Sequence, residues 1–106
     1  MTPSLPRGAK KYSQTKTFDE TTIPQPLLSN HSTKPNSWGL IVIKNGQLIY
    51  TRINQEARIL NSETPGVILP GELHKIAPDG PVTFHIEFYH DADAQVADRD
   101  SDEVAL

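Results

Sequence analysis

From residue 82 to residue 89 the chain reads VTFHIEFY, which puts Val82, Phe84, Ile86 and Phe88 on one side of an extended backbone and Thr83, His85, Glu87 and Tyr89 on the other. A period of two predicts a half-buried strand. The same texture runs through residues 12–90, where short apolar runs end in turn formers and no stretch keeps a useful helical period. Residues 38–44 (WGLIVIK) and 47–53 (QLIYTRI) flank Asn45-Gly46, two residues that accept positive φ, and this predicts a two-residue type I′ hairpin. Further strands are expected at 12–18, 58–61, 66–69 and 72–77, with Pro78-Asp79-Gly80-Pro81 as a turn before the last strand. Pro24 and Pro26 make 19–26 a connector, followed by a short extended piece at 27–31. Roughly eight strands separated by turns predict an all-β sandwich or barrel.

Composition narrows the picture. A chain of 106 residues with 36% apolar content supports one small core. The expected division is a basic, flexible stretch at 1–11, a β domain at 12–90 and an acidic, disordered tail at 91–106. Arg7, Lys10, Lys11 and Lys16 precede any acid, whereas Asp91, Asp93, Asp98, Asp100, Asp102 and Glu103 face only Arg99. No basic stripe interleaved with aromatics follows the first four, so no nucleic-acid partner is expected. The absence of cysteine excludes disulfides, thiolate metal sites and cysteine nucleophiles. No apolar run has the length of a membrane helix and the first 13 residues lack a signal-peptide core, so a cytoplasmic protein without a membrane partner is expected.

The candidate chemistry lies in histidines. His31, His74, His85 and His90 form no HxH or HExxH pair, although His85 and Glu87 share a strand face. Residues as distant as His31, His74 and Glu87 can still meet inside a small barrel, where two imidazoles and a carboxylate suit Zn²⁺, Fe²⁺ or Mn²⁺ with positions left open. The competing reading makes the histidines structural, hydrogen-bonded residues. No GxSxG elbow or phosphate-cradling glycine loop is present. Trp38 is either a stacking platform for a ligand or a core anchor.

In PGVILPGELHKI, residues 65–76, a Pro-Gly turn sets up His74, and the spacing from Gly66 through Pro70-Gly71 to His74 resembles the second cupin motif. WGLIVIKNGQLIY resembles the unit that carries the glycine closing the first cupin motif, here Gly46, but the HxH and Glu that should precede it are missing. A narrower resemblance accounts for this. FDETTIPQPLLSNHSTK, WGLIVIKNGQLIY, PGVILPGELHKI and GPVTFHIEFYH, in this order over about residues 15–90, are similar to the TehB/YeaR-like domain family, small cupin-like proteins associated by name with tellurite resistance. The resemblance implies a cupin-like double-stranded β-helix, or jelly roll, in which His31, His74 and Glu87 hold a divalent transition metal (Zn, Fe, Mn or Ni). His85 is a less secure fourth ligand. His85, Tyr89, Arg52 and Trp38 then become candidates to orient ligands or substrate.

The function expected from this reading is metal binding within a bacterial stress response or oxyanion resistance, with a small molecule or oxyanion as partner and no reaction fixed. The alternative is a non-catalytic small-ligand or homodimeric interaction module with structural histidines.

Overall fold

The computed structural model describes residues 4–91, so the acidic stretch from 92 onward lies outside the described residues. Six strands and one 3₁₀ turn follow in the order β1 (Lys10–Gln14), β2 (Phe18–Asp19), the 3₁₀ turn Gln25–Leu28, β3 (Ser37–Arg52), β4 (Arg58–Leu60), β5 (Gly66–Ile68) and β6 (His74–His90). All strand pairs are antiparallel. The central path is β1-β6-β3-β4, with β2 added to β6 and β5 to β3, and this six-stranded sheet is not closed. The all-β expectation holds. No helix among the described residues is long and apolar enough to cross a membrane.

The hairpin expected at Asn45-Gly46 does not form. β3 runs straight through both residues, with Asn45 opposite Thr83 and Gly46 opposite Val82. A type I′ turn needs positive φ at both central residues, yet Asn54 is the one non-glycine with positive φ among the described residues. Gly46 alone takes up the conformation, at φ 82°. Its neighbours leave no alternative, because a Cβ there would lie 2.1 Å from the Pro81 carbonyl oxygen. The Asn-Gly signal therefore marks a bulge in a long strand. Likewise, Pro78-Asp79-Gly80-Pro81 lies within β6, where the irregular pairing tolerates the missing N–H groups of the prolines. Two long bent strands thus replace the four shorter ones expected.

The bulge keeps both halves of the sheet facing one core. Buried side chains on β3 fall at Ile41 and Ile43, then at Leu48 and Tyr50, so the parity switches across the irregularity. Between the pairs Ile43–Phe84 and Leu48–Pro78 the chain takes five steps along β3 but six along β6. An odd count flips the facing of β3 while the even count preserves that of β6. Ile41, Phe84 and Ile86 from one half consequently share a core with Leu48, Tyr50, Leu60 and Ile76 from the other. The piece expected to be extended at 27–31 begins inside the 3₁₀ turn, where Pro26 occupies the first turn without sacrificing a bond. Leu27, 1% exposed, anchors that turn against the core and contributes about 2 kcal/mol by burial.

Candidate functional site

His31 follows the 3₁₀ turn and His74 opens β6, and the backbone joins them as an isolated antiparallel bridge. The His31 N–H donates to the His74 carbonyl at 3.0 Å and the His74 N–H to the His31 carbonyl at 2.8 Å. Residues directly opposite in such a pair present their side chains to the same face. The two rings accordingly meet, with centroids 4.2 Å apart and planes inclined by 57°.

Each ring is tied by Nδ1 to a carbonyl two residues earlier in the chain. His31 Nδ1 lies 3.1 Å from the Ser29 oxygen and His74 Nδ1 lies 2.9 Å from the Glu72 oxygen. A carbonyl only accepts, so each Nδ1 carries the hydrogen, and in the neutral form of such a ring the lone pair is on Nε2. Burial pushes the His74 imidazole below its ordinary value, assisted by the neighbouring His31 and opposed by the bond to Glu72. His74 is therefore a neutral acceptor at neutral pH. A cavity of about 10 Å³ adjoins the pair, bordered by Leu27, Thr33, Ile68, Ile86 and Phe88. That is room for a water or a single ion.

Three residues that pattern reading missed hold this pocket. The Tyr50 ring meets His74 edge-on at 6.0 Å, and its hydroxyl donates to the Val67 carbonyl at 2.8 Å. The buried Thr33 hydroxyl donates to the Ser37 carbonyl at 3.0 Å and accepts from the Gly71 N–H at 3.3 Å, joining the His31 loop to the Pro70-Gly71 turn. Glu72 receives a two-pronged contact from Arg52, Nε to Oε1 at 2.8 Å and Nη2 to Oε2 at 3.0 Å. Of these, only Glu72 had a readable signal, its place two residues before a candidate histidine.

Glu87 is not brought to the two histidines. Ile86 and Phe88 border their cavity, so the intervening side chain points to the opposite face of β6. There its Oε2 accepts from His85 Nε2 at 2.8 Å and its Oε1 from the Tyr89 hydroxyl at 2.8 Å, with Lys11 Nζ 3.6 Å away. Partial burial pushes the Glu87 carboxyl up, but these hydrogen bonds and the lysine outweigh it and hold the group below the usual carboxylate range. Trp38 belongs to this second face as well, directly opposite Tyr89. His85 is 8% exposed, so the polar side of β6 does not simply face water. Arg52, by contrast, stands opposite His74 and on its side of the sheet. Among the described residues no three of His, Cys, Asp or Glu gather closely enough to hold a metal. A more open cavity of about 410 Å³ is bordered by Leu5, Leu40, Pro65 and Val67, with no histidine in its lining.

The sequence profile of the TehB-like domain matches residues 13–86, which is most of the chain and includes both histidines of the bridge. The chain belongs to the TehB-like domain family. No curated protein matches it significantly. Among solved structures, this TehB-like domain is similar to a protein of E. coli strain K12 at TM-score 0.73 and 17% identity, over 83% of this chain and 96% of that one. It is also similar to TehB from Haemophilus influenzae at TM-score 0.79 and 17% identity, over 94% of this chain but 37% of that one. At such identity the likeness is one of fold. This chain corresponds to little more than a third of the Haemophilus protein.

Proposed function

We propose that this TehB-like domain is a cupin-like ligand-binding module in which His31 and His74 hold one divalent transition metal through their Nε2 atoms. The observation that carries this reading is the histidine bridge, in which two adjacent rings have Nδ1 tied to carbonyls and Nε2 left with a lone pair. Ligating imidazoles characteristically donate their other N–H to such a partner, which fixes the tautomer and raises basicity. The fit covers two coordination positions, and water or a bound ligand would supply the rest. A pair of imidazoles without a carboxylate favours Zn²⁺ or Ni²⁺ over Mn²⁺.

The same chemistry bears on the partner. A neutral Nε2 cannot donate a hydrogen bond, so an oxyanion gains nothing from His74 directly. A metal held by the two rings supplies the positive charge that an oxyanion needs. A part in resistance to toxic oxyanions such as tellurite, within a bacterial stress response, rests on family membership alone. Glu87 has no ligand role in this reading, since it points to the other face of β6, where its two oxygens accept from His85 and Tyr89.

Isothermal titration of the untagged protein with Zn²⁺ tests the reading. One equivalent is expected to bind, His31→Ala and His74→Ala each to weaken binding at least tenfold, and Glu87→Gln to leave it within twofold. Loss of binding in Glu87→Gln with retention in His74→Ala would reject it.

A further inference from the structure

We infer that the Arg52–Glu72 pair is a positioning clamp that sets the tautomer and orientation of His74 and so divides the histidine bridge into one fixed and one adjustable ring. The clamp itself is argued from the metal-free protein, and its effect on metal affinity rests on the function proposed above.

Glu72 is held from three sides. Its N–H donates to the Leu69 carbonyl at 3.2 Å, closing the turn in which Gly71 takes φ 69°. Its carboxylate receives both prongs of the Arg52 guanidinium, a fork whose planar geometry fixes direction as well as distance. Its carbonyl is thereby presented to His74 Nδ1 at 2.9 Å. The pair is mostly shielded, with side chains 17% and 19% exposed, so water competes weakly for the guanidinium. The adjacent residues are fixed too, because the Ile53 N–H donates to the Leu73 carbonyl at 2.9 Å. Arg52 thus acts on His74 through Glu72, at a register position directly opposite the ring it controls.

Among the described residues His31 has no comparable support. Its Nδ1 partner is the carbonyl of the exposed Ser29, whose own N–H makes a long bond of 3.4 Å to the Pro26 carbonyl. His31 is itself half-buried, whereas His74 is 2% exposed. The bridge therefore joins an anchored ring to one whose carbonyl partner sits in an exposed loop. A ligand entering between them meets His74 already oriented and draws His31 into place.

Nitrogen-resolved NMR of the imidazoles in the metal-free protein reads the tautomers directly. In the wild type, His74 is expected to show protonated Nδ1 and bare Nε2. Arg52→Met, which keeps an unbranched apolar stem but removes the guanidinium and its donors, is expected to give a mixed tautomer signature at His74 while His31 is unchanged. Glu72→Gln retains the acceptor oxygen and one direction of the contact, and is expected to fall between the two. In parallel, Zn²⁺ titration should show about a tenfold loss of affinity in Arg52→Met, in the range seen when a partner of a ligating histidine is removed. An unchanged His74 signature in both folded variants would overturn the clamp. If the wild type shows no Zn²⁺ binding while the tautomer shift still occurs, the clamp stands and the metal reading falls.

Discussion

Burial keeps the His74 ring neutral, and that choice of protonation state has a measurable consequence for stability. Its folded pKa lies below the ordinary value of 6.5, so the unfolded chain binds the proton more readily than the folded one. Stability from this residue is complete above 6.5 and is lost as pH falls below it through the folded value. Glu87 behaves in a separate window. Its carboxyl is held below the ordinary 4.5, so its contribution is present above that value and is lost on further acidification. Urea denaturation of the metal-free protein is therefore expected to show stability falling between pH 7.5 and 5.5 in the wild type but less so in His74→Gln. Equal slopes in the two proteins would show that His74 is not the group responsible. The direction of Glu87 was available from the alternation alone, since a core face made of Val82, Phe84, Ile86 and Phe88 turns Glu87 outward. Linking His74 to the core face required counting through Pro78–Pro81, where strand continuity was hidden by four turn-forming residues.

At the scale of elements, the central strands were legible and their connection was not. Residues 38–44 and 47–53 carry a clear β pattern, and both segments are strand. Asn-Gly reads identically for a type I′ turn and for a glycine bulge, because both need positive φ at Gly46. What decides between them is whether the flanking segments pair with each other or with a distant strand. Here β6, more than twenty residues further on, supplies the partner for both. The difference is testable. Gly46→Ala must adopt positive φ and meet the Pro81 carbonyl, and is expected to cost about 2–4 kcal/mol by chemical denaturation. Asn45→Ala, exposed and without positive φ, is expected to change stability by less than about 0.5 kcal/mol. A large loss at Asn45 would point back to a hairpin.

For the whole molecule, bending one sheet does the work that a second sheet does in a sandwich. β3 and β6 each cross from one half to the other, and the bulge between them lets side chains from both halves enclose a common core. This arrangement also explains the fate of the candidate residues. It gathers His31, His74 and Arg52 on the inner side of the sheet, and leaves His85, Glu87, Tyr89 and Trp38 on the other side. The resemblance of the motifs pointed to His31 and His74, whose rings the structure sets side by side, but a carboxylate on the same strand as His74 is separated from it by the thickness of that strand.

Anomalous diffraction from crystals grown with Zn²⁺ would locate any bound metal and its ligands. If the histidine bridge holds the metal, a single strong peak is expected within coordinating distance of Nε2 on both His31 and His74, and no peak at the Glu87 carboxylate. A peak on the outer side of β6, ligated by His85 or Glu87 while the histidine bridge stays empty, would contradict it.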